Sequence, residues 1–269
     1  MSQQFAGNYP IESRSGEIER LHVQGAAMAP DADRMLERIG VREGWRCLDI
    51  GCGPRGITDL MAKRVGSSGK VLGVDMEEAF LAHARQSAPV NVEFRRADAF
   101  GSDLEPGQFD LVHMRFVAST AGEPMRLLKE AMRLAKPGGV VALQEPDGAT
   151  LNCYPPHPSW DRLKRALLGA FAGVGADLEL AHRVFALARE VGLHDVQYRP
   201  FLIGVRSGDP MADYLPSTVQ SLRGTVVRLG LIPEQEFDAA LAECRRHLAQ
   251  PATIFTLYTV AQVWGRKPG

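Results

Sequence analysis

Between residues 46 and 143, short runs of β-branched and other apolar residues alternate with segments whose apolar positions recur at helical spacing. Residues 46–50 read as a strand, and 57–65 as a helix with Ile57, Leu60, Met61 and Val65 on one face. A strand at 70–75 precedes a helix at 77–87 that carries Phe80, Leu81 and Ala84. Strands at 91–95 and 109–114, a helix at 124–135 and a strand at 140–144 complete the series. The breaks between them are rich in turn residues, as in Gly66-Ser67-Ser68-Gly69, Glu105-Pro106-Gly107 and Lys136-Pro137-Gly138-Gly139. Such alternation predicts βαβ units and a parallel sheet covered on both faces.

After Glu145 the pattern changes. Residues 147–158 read as a loop holding Pro155, Pro156 and Pro158, followed by helices at 160–172 and 178–191, the second closed by Gly192. Strands are predicted at 196–205 and 254–264, with a mostly helical stretch at 206–251 between them. The segment 1–39 is helical from about Ser15, and its first thirty residues carry polar side chains on most faces. The segment reads as a cap, of which residues 1–30 are expected to close over the site, with little apolar surface to anchor them. Three divisions follow: an N-terminal helical cap (1–39), a core (40–146), and the remainder of the core sheet with helical insertions at 147–178 and 206–251.

The charges nearly cancel, with Lys+Arg 31 against Asp+Glu 32, which argues against nucleic acid as a partner. No stretch approaches a membrane span and no signal-peptide core is visible, so a soluble, cytoplasmic protein is expected. Four scattered cysteines form neither a disulfide framework nor a metal site.

The strongest local signal is Leu48-Asp49-Ile50-Gly51-Cys52-Gly53-Pro54-Arg55-Gly56, where the first strand hands over to the first helix. Gly51 and Gly53 allow a tight turn and close approach of a ligand to the backbone. As a bare pattern, Gly51-x-Gly53-x-x-Gly56 is also the dinucleotide fingerprint, and Asp75 follows Gly56 by 19 residues. Against a dinucleotide, Asp49 stands where an apolar residue is usual, and a carboxylate there repels a pyrophosphate and suits an ammonium group. Asp98 follows the third strand, where it can accept a hydrogen bond from an exocyclic amine.

Asp49-Ile50-Gly51-Cys52-Gly53, Asp75, Asp98, Phe109-Asp110-Leu111-Val112 and Lys136-Pro137-Gly138-Gly139 together resemble the class I S-adenosylmethionine-dependent methyltransferases, in particular the small-molecule, ubiquinone-biosynthesis-like group. One departure is Arg55, where many members have a third alternating glycine. The resemblance implies an α/β, Rossmann-like sheet, mostly parallel with an antiparallel last strand. It implies S-adenosylmethionine as cofactor, S-adenosylhomocysteine as product and a small-molecule acceptor methylated at oxygen, nitrogen or carbon. Carried over by residue, Gly51 and Gly53 pass beneath the methionine part. Asp75 takes the ribose hydroxyls, Met76 packs on the adenine, and Asp98 with the Ala99 amide reads the adenine edge. Arg115 and Phe116 lie in the crevice beyond the fourth strand; Arg115 can instead pair with Glu145 or Asp147. Tyr9 of the cap is assigned to the sulfonium and Arg20 to the methionine carboxylate, Arg20 sharing a helical face with Gln24.

The acceptor pocket is expected beneath 147–178 and 206–251, with Tyr154, Trp160, Tyr214, Leu222, Val226, Val227 and Leu229 among its residues. Asp147 and His157 are the candidate general bases. His113, inside an apolar strand, reads as a hydrogen-bonded core histidine. Two other readings stay open: an NAD(P)-dependent oxidoreductase built on the same glycine loop, and a fold relative that does not transfer methyl, such as a pericyclase.

Overall fold

The computed structural model describes residues 16–269; Tyr9, with the rest of residues 1–15, lies outside the described residues. The first half follows the predicted alternation closely: α1 (Glu17–Ile39), β1 (Arg46–Ile50), α2 (Thr58–Val65), β2 (Lys70–Asp75), α3 (Glu78–Arg85), β3 (Val92–Arg96), β4 (Phe109–Arg115), α4 (Val117–Ala121), α5 (Pro124–Leu134) and β5 (Ala135–Asp147). The second half contains β6 (Asn152–Tyr154), α6 (Pro158–Ala172), α7 (Ala181–Glu190), β7 (His194–Phe201), β8 (Gly204–Arg206), α8 (Tyr214–Ser221), α9 (Arg223–Arg228), α10 (Glu234–Leu248), β9 (Ile254–Thr256) and β10 (Thr259–Arg266).

Seven strands form one sheet in the order β3-β2-β1-β4-β5-β10-β7. The first five are parallel, and β10 lies antiparallel between β5 and β7. This is the expected mostly parallel sheet with an antiparallel last strand. The order reverses between β1 and β4, and at such a switch point the connections diverge and leave a crevice beyond the carboxyl ends of the strands.

Both strands predicted in the second half are divided. The stretch read as 196–205 is β7 plus β8, and 254–264 is β9 plus β10. The outer parts leave the main sheet and join β6 in a three-stranded sheet of order β6-β9-β8. At the bend the Leu257 amide donates to the Ile203 carbonyl over 3.0 Å, so a backbone bond bridges the two ladders. The apolar run continues through the bend, and hydrophobicity alone therefore does not mark it. The expected loop at 147–158 also contains β6, whose three residues are too few to show a period.

Alternation along the strands sorts the core into two layers. On one face Cys47, Leu111, Val140, Ala142 and Trp264 pack against Ala32, Met35 and Leu36 of α1 and Met61 and Val65 of α2. On the other, Leu48, Ile50, Met114, Val141 and Leu143 meet Leu127, Leu128 and Leu134 of α5 and Val184 of α7. Met28, Ala32, Met35, Leu36 and Ile39 of α1 are all buried, so the second half of this helix has a continuous apolar seam. The residues of the Phe109-Asp110 and Lys136-Pro137 motifs do structural work at the opposite edge from the crevice. Asp110 accepts from the Arg46 amide and from Lys136 Nζ, each at 2.8 Å.

A third apolar cluster, with Trp160, Leu163, Phe237, Leu241 and Phe255, lies under the insertions. Among the described residues no helix is long and apolar enough to cross a membrane. Phe237 is fully buried in the third cluster. Phe237→Ala should therefore lower the unfolding free energy by about 3–5 kcal/mol in a urea titration, through lost contacts and the cavity left behind.

Candidate functional site

The β1–α2 turn is the tightest part of the crevice. Gly51 has φ 65°, and a Cβ there would come within 2.3 Å of Val117 Cγ2. Any side chain there would have to displace Val117 and hold a left-handed backbone. Gly53 has φ 56° and faces open space, which leaves its backbone accessible. Arg55, the departure from the alternating-glycine pattern, takes the left-handed conformation itself, with φ 100°. Its guanidinium offsets that strain by bonding Ser87 and forming a 2.8 Å ion pair with Asp59.

A cavity of about 1050 Å³ opens over this turn. It brings together Arg20, Gly51, Gly53, Asp75, Met76, Asp98, Ala99, Arg115 and Phe116, all of the expected cofactor residues that lie within the described chain. Asp75 Oδ2 accepts from the Gly53 amide and Oδ1 from the Glu77 amide, both at 2.9 Å. Burial nevertheless pushes its carboxyl above the ordinary value, against these two hydrogen bonds. Asp98 is exposed and accepts from the Phe100 amide at 2.9 Å. Met76 stands at the cavity rim, 51% exposed.

Helix α1 supplies one wall. Arg20 bonds Glu17 and Gln24, with Nη1 donating to Gln24 Oε1 over 2.8 Å. Gln24 Nε2 in turn donates to the Tyr258 hydroxyl at 3.2 Å. His22 Nε2 lies 3.1 Å from the Pro54 carbonyl and ties the helix to the glycine turn.

Arg115 does not pair with Glu145 or Asp147. Along β4 it shares a face with Leu111 and His113, on the α1 side, whereas Glu145 and Asp147 share the face of Leu143 on the other. Its guanidinium lies beside Gly25 and Gly56. Burial lowers its pKa, opposed by the negative charge of Asp49. Glu145 instead caps α4, accepting from the Ala118 and Ser119 amides at 3.1 and 3.0 Å. It thereby fixes the turn at Phe116, a non-glycine residue with φ 61° at the cavity wall.

The two candidate bases lie elsewhere. Asp147 takes its strand's other face, accepts from the Ala149 amide at 3.2 Å and pairs with His182 at 2.9 Å in a smaller, separate depression. His157 caps α6 by accepting from the Ser159 amide and stacks on His247 with ring centroids 4.3 Å apart. Neither side chain lines the main cavity. Of the expected acceptor residues, Tyr214 does, while Tyr154 is exposed and Trp160 is buried in the third cluster.

The insertions contribute Leu167, Phe171, Leu178, Tyr214 and Thr218 to the cavity. Tyr258, which the sequence reading passed over, joins them from the β9–β10 bend. Its hydroxyl accepts from Tyr214 at 2.9 Å, and its ring meets Phe116 edge-on at 5.5 Å between centroids. Burial raises both phenols above their ordinary values. His113 is the hydrogen-bonded core histidine that was expected: it is fully buried, with Nδ1 2.7 Å from Asp49 Oδ1.

The geometry fits a zwitterionic nucleoside better than a dinucleotide. A pyrophosphate needs free amides at the glycine turn. Here the Cys52 amide donates to the Val74 carbonyl at 3.0 Å and the Gly53 amide to Asp75. Asp49 lines the cavity at this turn and would repel the phosphates, whereas a carboxylate at Asp75 suits the ribose of either cofactor.

Comparison with known proteins agrees. Residues 47–139 match the family model described as a methyltransferase domain. The demethylmenaquinone methyltransferase of Lactococcus lactis subsp. lactis is 34% identical over 125 residues, which cover 45% of this chain and 50% of that protein. The match thus spans about half the length of that relative. A putative methyltransferase from Bacillus halodurans superposes with a TM-score of 0.60 at 17% identity, covering 89% of this chain and 100% of that one. The phosphoethanolamine N-methyltransferase 2 of Haemonchus contortus, in complex with phosphomonomethylethanolamine and S-adenosylhomocysteine, gives 0.58 at 17% identity, covering 94% and 58%. These two structures share the fold. Over residues 47–139 the chain is thus similar to a methyltransferase domain, and its fold is that of known methyltransferases.

Glu145 makes a measurable contribution to the pH dependence of stability. Burial raises its carboxyl from the ordinary 4.5 to about 8, outweighing the hydrogen bonds from Ser119 and Ala118. The folded chain then holds a proton that the unfolded chain has already lost. The contribution is full below the unfolded value and is lost as pH rises from about 4.5 to about 8. Glu145→Gln should remove that decline, so the difference in melting temperature between wild type and variant should change from pH 5 to pH 8. A constant difference across this range would contradict the raised value.

Proposed function

We propose that the chain is an S-adenosylmethionine-dependent methyltransferase acting on a small, weakly polar organic acceptor at oxygen, nitrogen or carbon. The observation that carries this reading is the glycine turn: its Cys52 and Gly53 amides are engaged internally, and Asp49, Asp75 and Asp98 line the cavity above it. Asp49 and Arg115 present opposite charges that match the zwitterionic amino-acid end of the cofactor. Gly51 and Gly53 pass beneath that end. Asp75 keeps lone pairs for the ribose hydroxyls, Met76 covers the adenine face, and Asp98 with the Ala99 amide reads the adenine edge. Arg20, bonded to Glu17 and Gln24, belongs to the wall above.

When bound, the cofactor supplies an electrophilic methyl group. The chain's own task is then to hold an acceptor in line and keep water out. Leu167, Phe171, Leu178 and Phe116 form an apolar wall for this, and Tyr258, whose hydroxyl accepts from Tyr214 and Gln24 and keeps its own hydrogen, remains a protonated donor that orients a polar atom of the acceptor. The match to demethylmenaquinone methyltransferases supports a small organic acceptor. No role as general base falls to Asp147 or His157, because neither reaches this cavity.

Calorimetry with S-adenosylhomocysteine and NADH side by side tests the cofactor, and only the former should bind. Production of S-adenosylhomocysteine across an acceptor panel separates methyl transfer from a pericyclase-like relative. Asp75→Ala should weaken S-adenosylhomocysteine binding by roughly 1.5–3 kcal/mol for each lost hydrogen bond to the charged group. It should also lower the melting temperature, since Asp75 anchors the Gly53 amide. Asp147→Asn and His157→Ala should keep wild-type cofactor affinity and wild-type turnover of any acceptor found.

A further inference from the structure

Asp49 is held by more than one neighbour. In the parallel register Asp49 lies opposite His113, and in the antiparallel pair Gln144 lies opposite Gln262. All four side chains stand on the sheet face that α1 covers, one step toward the crevice from the apolar row of Cys47, Leu111, Ala142 and Trp264. They form a continuous polar line across β1, β4, β5 and β10. Gln262 Nε2 donates to the Asp31 carbonyl at 3.0 Å and to Gln144 Oε1 at 3.1 Å. Gln144 Nε2 lies 3.0 Å from His113 Nε2, and His113 Nδ1 lies 2.7 Å from Asp49 Oδ1. None of the four is more than 4% exposed.

We propose that the Asp31 carbonyl of α1 and the Asp49 carboxylate, both acceptors, fix this chain from its two ends and keep the His113 imidazole neutral, and that His113 acts as a positioning residue for the Asp49 carboxylate that receives the cofactor's ammonium group. A backbone carbonyl can only accept. Gln262 must therefore turn its NH₂ toward Asp31, since the flipped amide would bring two acceptors together. The second hydrogen of that nitrogen goes to Gln144 Oε1, which leaves the Gln144 NH₂ facing the imidazole. His113 Nε2 is then an acceptor, and the ring's single proton sits on Nδ1 and is donated to Asp49. Burial matters because no water is available to replace a missing partner.

Two consequences follow for Asp49. One carboxylate oxygen is pinned, so the group cannot rotate within the turn. The donor that pins it is a neutral imidazole, which leaves the carboxylate's charge for the ligand. An imidazolium in the same place would cancel much of that charge. The N-terminal helix thus acts on the glycine turn through the sheet as well as across the cavity.

This inference rests on the cofactor reading above, and the tests separate the two. Long-range ¹⁵N–¹H NMR of histidine-labelled wild-type protein should show His113 as the Nδ1–H tautomer. The Nε2–H tautomer or an imidazolium would overturn the proposal whatever the cofactor. Gln262→Met removes the link to Asp31 without touching the cavity and frees the Gln144 amide to turn its oxygen toward Nε2, so Nε2 can carry a proton too and the His113 ¹⁵N shifts should move toward those of an imidazolium; an unchanged spectrum counts against the chain. In calorimetry, His113→Phe should weaken S-adenosylhomocysteine by about tenfold. Its affinity for 5′-deoxy-5′-methylthioadenosine, which lacks the amino-acid end, should stay at the wild-type value. Equal losses on both ligands would make His113 merely structural. If wild type binds neither ligand, the cofactor reading fails, and the tautomer measurement still decides the direction of the chain.

Discussion

β1 and β4 run side by side in parallel, and the chain leaves them in opposite directions, β1 toward β2 and β4 toward β5. Everything at the site depends on that divergence. The connections after these two strands cannot cover the gap between them, so the gap stays open and both turns face it. The β1 turn must then bend sharply enough to clear α4, and any side chain at position 51 would have to displace Val117. The β4 turn must bend as sharply in the other direction, and Phe116 does so in a conformation that most side chains avoid.

The crevice is therefore bordered by strained backbone on both sides, and in each case a buried or well-paired side chain holds the strain in place. Arg55 is braced by Ser87 and Asp59, and Phe116 is braced by Glu145 beneath the first turn of α4. Burying a carboxyl under α4 carries a desolvation cost. What it provides is a fixed edge for the cavity. Asp75 does the same on the opposite rim by taking the Gly53 amide, so the walls are set before any ligand arrives.

Much of this was legible in the sequence because it is local. The glycine turn, Asp75 and Asp98 each sit at a strand end, and a strand end can be located from period-2 alternation and turn residues alone. The bases were misplaced because type and proximity were read without direction. Counting alternate residues back from Asp147 through Glu145 to Leu143 leads to the α7 face, where His182 is its partner. The same count separates Arg115 from Glu145. Tyr258 and the Gln144–Gln262 pair were harder. Their roles depend on which strands become neighbours over a separation of more than a hundred residues, and no local period carries that information. The bend at 202–203 and 257–258 was hidden for a related reason: the residues stay apolar while the ladder changes partners.

That bend gives the segment from β8 to β9 a ladder of its own. The chain departs from β7 and returns to β10 at points joined by the single hydrogen bond between Leu257 and Ile203. Everything between them, from β8 through α10 to β9, goes out and comes back to one doorway in the sheet edge. Its length and composition can change without altering the register of any strand that shapes the cofactor end. The fold thus joins a fixed socket to a lobe built outside it: the excursion rests on α6 and β6 and lends Tyr214 and Thr218 to the cavity, while the glycine turn and its carboxylates belong to the main sheet.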